Sequence, residues 1–134
     1  MHLNAYLSFS GNCEAAFAFY LKHLGGEIME QHRYAGSPME AQCPPGWGDK
    51  IMHMRARVGD MVLMGSDAGG ECAPEKLAGF SLSINTGDPA EAERIFAAMS
   101  ENAVIGMPLA ETFWARRFGM LTDQFGVPWM VNCE

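Results

Sequence analysis

A short alternating strand followed by a helix and then by three further strands occurs twice in this chain. That recurrence limits the fold more than any single motif does. Leu3, Ala5, Leu7 and Phe9 alternate with Asn4, Tyr6 and Ser8, the period of a strand with one apolar face. Phe80, Leu82 and Ile84 alternate with Ser81, Ser83 and Asn85 in the same way. Leu7-Ser8-Phe9 and Leu82-Ser83-Ile84 thus serve as matching anchors of an internal repeat.

After the first anchor, Gly11-Asn12 ends the strand and offers Asn12 as a helix cap. Ala16, Phe17, Phe19, Tyr20 and Leu24 then fall at helical spacing, and Gly25-Gly26 stops the helix. Residues 27–34 read as a second strand and residues 35–49, rich in glycine and proline, as loop. A third strand over 50–58 and a fourth over 61–66 meet at Gly59-Asp60, a strong hairpin signal. Residues 67–77 read as a linker between a module over about 1–67 and another over about 78–134.

In the second module Asp88-Pro89-Ala90-Glu91 combines a capping acid, proline at the first helical position and glutamate three after the cap. Ala92, Ile95, Phe96 and Met99 continue one helical face. Residues 103–109 make a sixth strand. Two more flank Asp123-Gln124-Phe125-Gly126, where bulky aromatic and β-branched residues suit a half-buried sheet. The predicted order is βαβββ, linker, βαβββ.

With 49% hydrophobic and 19% charged residues, the 134-residue chain can bury a core and is not of a disordered type. Sixteen acids against nine Lys plus Arg give a net charge of −7, which argues against nucleic acid or an anionic membrane as partner. No leader-like segment precedes the first strand, and no apolar run approaches membrane-spanning length. Cys13, Cys43, Cys72 and Cys133 are scattered without a Cys-x-x-Cys pair, as expected of reduced thiols in a cytoplasmic protein.

The repeat, together with Phe19-Tyr20 at the end of the first helix and Asp123-x-x-Gly126 in the last hairpin, resembles the vicinal oxygen chelate (glyoxalase/bleomycin resistance/dihydroxybiphenyl dioxygenase) superfamily. Gly11-Asn12-Cys13-Glu14-Ala15, Met64-Gly65-Ser66-Asp67, Met107-Pro108-Leu109, Thr112-Phe113-Trp114 and Arg117-Phe118-Gly119 resemble its PhnB-like branch. The resemblance covers essentially the whole chain. It implies an α+β fold of two βαβββ modules with curled mixed sheets, helices outside, and assembly as a homodimer. The branch is often labelled 3-demethylubiquinone-9 3-methyltransferase, yet no Gly-rich strand-to-helix turn for a nucleotide-type cofactor is present. No cofactor is expected.

Metal-using members of the superfamily place His, Gln or Glu on the first and fourth strands of each module. Carried over, those positions fall on Asn4 or Ala5, Met64, Gly79 and Met130. Thioethers are soft donors, Gly and Ala offer no donor side chain, and the set does not suit a hard divalent cation. What remains is a cup wall. If Met64 faces the cup, the Gly59-Asp60 turn brings Arg55, His53, Arg57 and Ser66 to the same face, leaving Met52, Met54, Ala56 and Leu63 for a helix.

His53, Arg55 and Ser66, with Ser81, Ser83, Trp114 and Arg117 in the second module, are the candidate ligand-binding residues. Arg116-Arg117 can equally reach solvent while the neighbouring rings pack. Cys13, beside a helix N-terminus, has either a lowered pKa or the inertness of a buried thiol. Asp67 and Glu111 read as isolated acids, His32 is an ambiguous strand position, and Trp47 is a lid or a dimer contact. The expected function is binding of a small molecule in the cup without the usual metal ligands. The alternatives are a metal-dependent lyase, isomerase or dioxygenase, and an antibiotic-sequestering protein with Trp114, Phe118 and Trp129 as stacking candidates.

Overall fold

Glycines divide the first half of the chain, and one of them admits no other residue. Gly26 has φ of +128°, and a Cβ there would lie 1.9 Å from the Arg57 carbonyl oxygen. The chain can therefore turn from helix into strand against its neighbour only at glycine. The computed structural model describes residues 1–69 and 73–134. It divides into two compact units, Met1–Glu75 and Lys76–Glu134.

The first unit contains β1 (Tyr6–Phe9), α1 (Cys13–Leu24), β2 (Glu27–Arg33), β3 (Ile51–Val58) and β4 (Met61–Asp67). Its strands lie in the order β1-β4-β3-β2. β1 runs parallel to β4, and the other neighbours are antiparallel. The second unit repeats this with β5 (Leu82–Thr86), α2 (Pro89–Met99), β6 (Val104–Ala110), β7 (Arg117–Thr122) and β8 (Pro128–Cys133), in the order β5-β8-β7-β6. A parallel pair cannot be closed by a tight turn, so each unit routes its chain through a helix before the last strand returns beside the first. The architecture is α+β, with one mixed sheet and one helix per unit.

In the first unit Cys13, Ala16, Phe17 and Tyr20 of α1 are buried, as are Leu7, Phe9, Met54, Ala56 and Leu63 of the sheet. In the second, Ala92, Ile95, Phe96 and Met99 of α2 are buried with Leu121, Trp129 and Val131. Two glycines give the helices room. A Cβ on Gly65 would stand 2.8 Å from the Phe17 ring, and one on Gly119 would stand 2.6 Å from the Phe96 ring. Each sheet is thereby left with a second face turned away from its own helix.

Several local expectations are corrected. The first strand begins at Tyr6, because Leu3 is 98% exposed and only the Ala5 carbonyl is drawn into pairing, by the Met64 N–H at 3.1 Å. Phe80 likewise precedes β5. Phe19 and Leu24 are half-buried and lie outside the core face of α1. Asn12 stands at the N-cap of α1 but makes no side-chain cap bond. Asp88 does cap α2, accepting from Ala90 N at 3.0 Å, whereas Glu91 takes the Thr86 hydroxyl instead of returning to the cap. Cys72 and part of the expected linker lie outside the described residues. Cys13, Cys43 and Cys133 are free thiols.

Candidate functional site

The register counted from Gly59-Asp60 is observed: Val58 pairs with Met61, Arg57 with Val62 and Arg55 with Met64. On the far side of β3, Glu30 pairs with Arg55 and His32 with His53. On the far side of β4, Tyr6 pairs with Met64 and Ser8 with Ser66. Since directly paired residues share a face, one surface of the first sheet gathers Tyr6, Ser66, Met64, Arg55, His53, Glu30 and His32. The opposite surface carries Leu7, Gly65, Met54 and Ala56 toward α1.

Met52 departs from the expected helix-facing set. The register shifts between His32↔His53 and Arg33↔Ile51, so Met52 is the extra residue of a bulge. It is half-buried and lines a cavity of about 610 Å³ with His53, Glu30, His32, Ser37 and Pro38. That volume falls within the range usual for small-molecule sites, about 300–1,000 Å³.

The polar groups at this cavity are connected. Tyr6 Oη lies 3.1 Å from His53 Nδ1, with the two rings stacked at a centroid distance of 5.8 Å. Glu30 accepts from His32 Nε2 at 2.7 Å and from Arg55 at 3.2 Å. The His32 bond first, and then the Arg55 bond, hold the Glu30 carboxyl below the usual carboxylate range. Arg33 is engaged by Glu14 and by the Asp49 carbonyl.

In the second unit the candidates do not gather in this way. Ser83 is exposed and pairs with Met130, and Ser81 lies just before β5. Trp114 is 48% exposed and stands edge-on to Phe118 at 5.2 Å. Trp129 is not available for stacking on a ligand. It is buried, and its indole N–H donates to Asp123 Oδ2 at 2.8 Å. Arg117 shares the α2-facing register of Gly119 and Leu121, and its Nε donates to Glu93 of α2 at 2.9 Å. Arg116 beside it donates to the Glu134 and Gly87 carbonyls.

The carried-over metal positions can be tested by donor chemistry. Asn4 and Ala5 precede β1, and Gly79 precedes β5 with φ of +81°. Met64 sits between Tyr6 and Arg55, and Met130 between Ser83 and Met120. None offers an imidazole or carboxylate, so these residues do not fit a hard divalent ion. Among the described residues, no three His, Cys, Asp or Glu side chains converge.

From sequence alone, neither Tyr6 nor Glu30 is brought to the site, Met52 turns toward the helix and His32 is an ambiguous strand position. Tyr6 is brought over only by a parallel pairing, and Glu30 and His32 by strands separated by a long loop. Neither register can be counted from a tight turn. Asp67, read as isolated, is a buried hub: Oδ1 accepts from Gly11 N and Cys13 N, and Oδ2 from Ile51 N, each at 2.9 Å. Cys13 is correspondingly inert, its thiol pushed up to about 12 by burial and then by the Asp67 and Glu14 charges. Trp47 and Pro44 of the long loop pack closely on Gly69 within the same unit.

Paired βαβββ modules with mixed sheets define the vicinal oxygen chelate type of fold, and comparison with known proteins agrees. A family model described as 3-demethylubiquinone-9 3-methyltransferase matches residues 2–132. The chain belongs to this family, the PhnB-like branch of the superfamily. It is 38% identical over 140 residues to protein YjdN of Escherichia coli, covering 98% of this chain and 95% of that protein. It is similar to the crystal structure of protein PA1353 from Pseudomonas aeruginosa, with 47% identity, a TM-score of 0.89, and 100% of this chain and 98% of that one covered. The PhnB protein of Bacillus cereus shares the fold at 23% identity and a TM-score of 0.83, with both chains fully covered at 100%.

Proposed function

We propose that this PhnB-like protein binds a small molecule in the cavity beside β2 and β3, through side-chain hydrogen bonds and without a chelated metal. The observation that carries this is the cavity of about 610 Å³ in which His53, held by Tyr6, stands beside the internally neutralised Glu30–His32–Arg55 cluster. Arg55 and Ser66 share the face that borders it. The test is native mass spectrometry of freshly purified protein, followed by binding of the released compound to wild type and His53→Ala. A small molecule that departs on denaturation and binds His53→Ala about tenfold more weakly supports the reading. Unchanged affinity in the variant sinks it.

A metal-dependent lyase, isomerase or dioxygenase is disfavoured by the residue types at the carried-over positions. Methyl transfer from a nucleotide-type donor gains no support either. Asp67 accepts from the first N–H of α1 and Asp88 from Ala90 N of α2, so a carboxylate already stands at each helix start where an anionic phosphate would have to sit. A second reading, sequestration of a planar compound, is favoured by the exposed Trp114 beside Phe118. Titration of such a compound would then quench Trp114 fluorescence, and Trp114→Ala would abolish the signal.

Homodimer assembly in the cytoplasm belongs to the same proposal. It draws support from the apolar residues that strands β2 and β6 leave exposed, Ile28, Met29, Val104 and Ile105. Light scattering that returns a monomer mass at micromolar concentration counts against the dimer.

A further inference from the structure

Tyr6 reaches its partner over an intervening strand. β1 and β3 both flank β4, and Tyr6 stands opposite Arg55 through Met64. His53 lies two residues further along β3, so the Tyr6 and His53 backbones are separated by more than two strand spacings, over about 10 Å. Only a long side chain can cross that gap, and the Tyr6 hydroxyl ends 3.1 Å from His53 Nδ1 with the ring planes 22° apart. A phenol is a far better hydrogen-bond donor than acceptor, and the unprotonated nitrogen of a neutral imidazole is a strong acceptor. The hydroxyl therefore donates to Nδ1. A neutral imidazole that accepts at Nδ1 carries its proton on Nε2.

From this geometry we infer that Tyr6 is a positioning residue that fixes the Nε2–H tautomer of His53, making His53 a donor to a carboxylate or carbonyl oxygen of the cavity ligand. The inference rests on the cavity being the ligand site and adds the ligand's chemical class. His53 Nε2 has no protein partner among the described residues, whereas His32 is spent on Glu30. Glu30 is the only acid lining the cavity among those residues, and it already accepts from His32 and Arg55. An incoming anionic or dipolar oxygen meets an available N–H and no unpaired carboxylate.

The experiment is long-range ¹H–¹⁵N correlation spectroscopy of the full chain at a pH where His53 is neutral, its signals assigned by their loss in His53→Gln. The expected pattern is the Nε2–H tautomer, with the Nδ1 resonance moving in Tyr6→Phe. An Nδ1–H tautomer, or an Nδ1 resonance indifferent to Tyr6→Phe, overturns the inference. Sodium pyruvate then serves as the probe. Saturable shifts at His53 Nε2, with affinity weakened about tenfold in His53→Ala and several-fold in Tyr6→Phe, support it. Shifts of the Gly36 and Ser37 amides with Nε2 unmoved overturn the donor role and leave the cavity reading standing. Stillness of both overturns the two together.

Discussion

Asp67, the last residue of β4, accepts a hydrogen bond from the backbone nitrogen of Cys13, the first residue of α1, across 2.9 Å. The same carboxylate takes the N–H groups of Gly11 and Ile51, so it ties the helix start, the preceding turn and the start of β3 to one buried point. With Asn12 making no side-chain cap bond, this long-range acid does the work of a local cap.

Removing that acid should therefore be costly. Asp67→Ala leaves the buried N–H groups of Cys13 and Ile51 and the part-buried one of Gly11 unsatisfied, and is expected to destabilise the protein by about 3 kcal/mol, with Asp67→Asn milder because one oxygen remains. Urea denaturation followed by circular dichroism measures both. A loss below about 0.5 kcal/mol in Asp67→Ala, the level of an ordinary surface substitution, would contradict the hub.

Asp123 has the parallel role in the second unit, where Oδ1 accepts from Phe125 N and Val127 N and Oδ2 from the Trp129 indole. Trp129→Phe removes one donor and some buried volume, and should cost about 1–3 kcal/mol. Trp114→Phe, at an exposed position, should cost little. Thermal melts of the two variants side by side give the comparison.

Gly65→Ala and Gly119→Ala each force a methyl group against a helix ring, and overpacking of this kind costs about 1–3 kcal/mol. Gly119→Ala should be the worse of the pair. Both methyl groups would meet backbone at 3.0 Å, Leu109 for Gly119 and the Leu7 carbonyl oxygen for Gly65, but the ring contact is tighter at Gly119, 2.6 Å from Phe96 against 2.8 Å from Phe17. Chemical denaturation of both variants ranks them.

Cys13 yields a pH prediction. Its folded-state value, about 12, lies above the ordinary thiol value of 9.0, so the thiol binds its proton more tightly when folded. The resulting stability is fully present below pH 9.0 and is lost as pH rises through about 12. The stability advantage of wild type over Cys13→Ala should narrow across that window. At pH 8, a thiol-alkylating reagent should modify Cys43 while Cys13 stays unreacted until the protein unfolds, which peptide mass spectrometry can follow.

Titration of Mn²⁺, Ni²⁺ or Zn²⁺ into the purified protein should give no stoichiometric heat by calorimetry, since the positions that carry metal ligands in relatives hold Met64, Gly79 and Met130. Stoichiometric binding at micromolar affinity would reopen the metal-enzyme reading.

The residues by themselves determined what local rules can reach. Alternation and the Gly59-Asp60 turn set the pairing of Arg55 with Met64, because a tight hairpin fixes register and a one-residue slip reverses every side chain. The Ala92-Ile95-Phe96-Met99 stripe likewise marked the buried face of α2. Tertiary structure decided the rest. The β2–β3 pairing crosses a long loop and contains a bulge, so nothing local could place His32 opposite His53 or turn Met52 into the cavity. The parallel β1–β4 pairing, made only after a helical crossover, delivers Tyr6 to His53 and Asp67 to the start of α1. The family was legible because its motifs lie along the chain. The candidate site was only half legible, because its other half comes from strands whose register global packing alone could set.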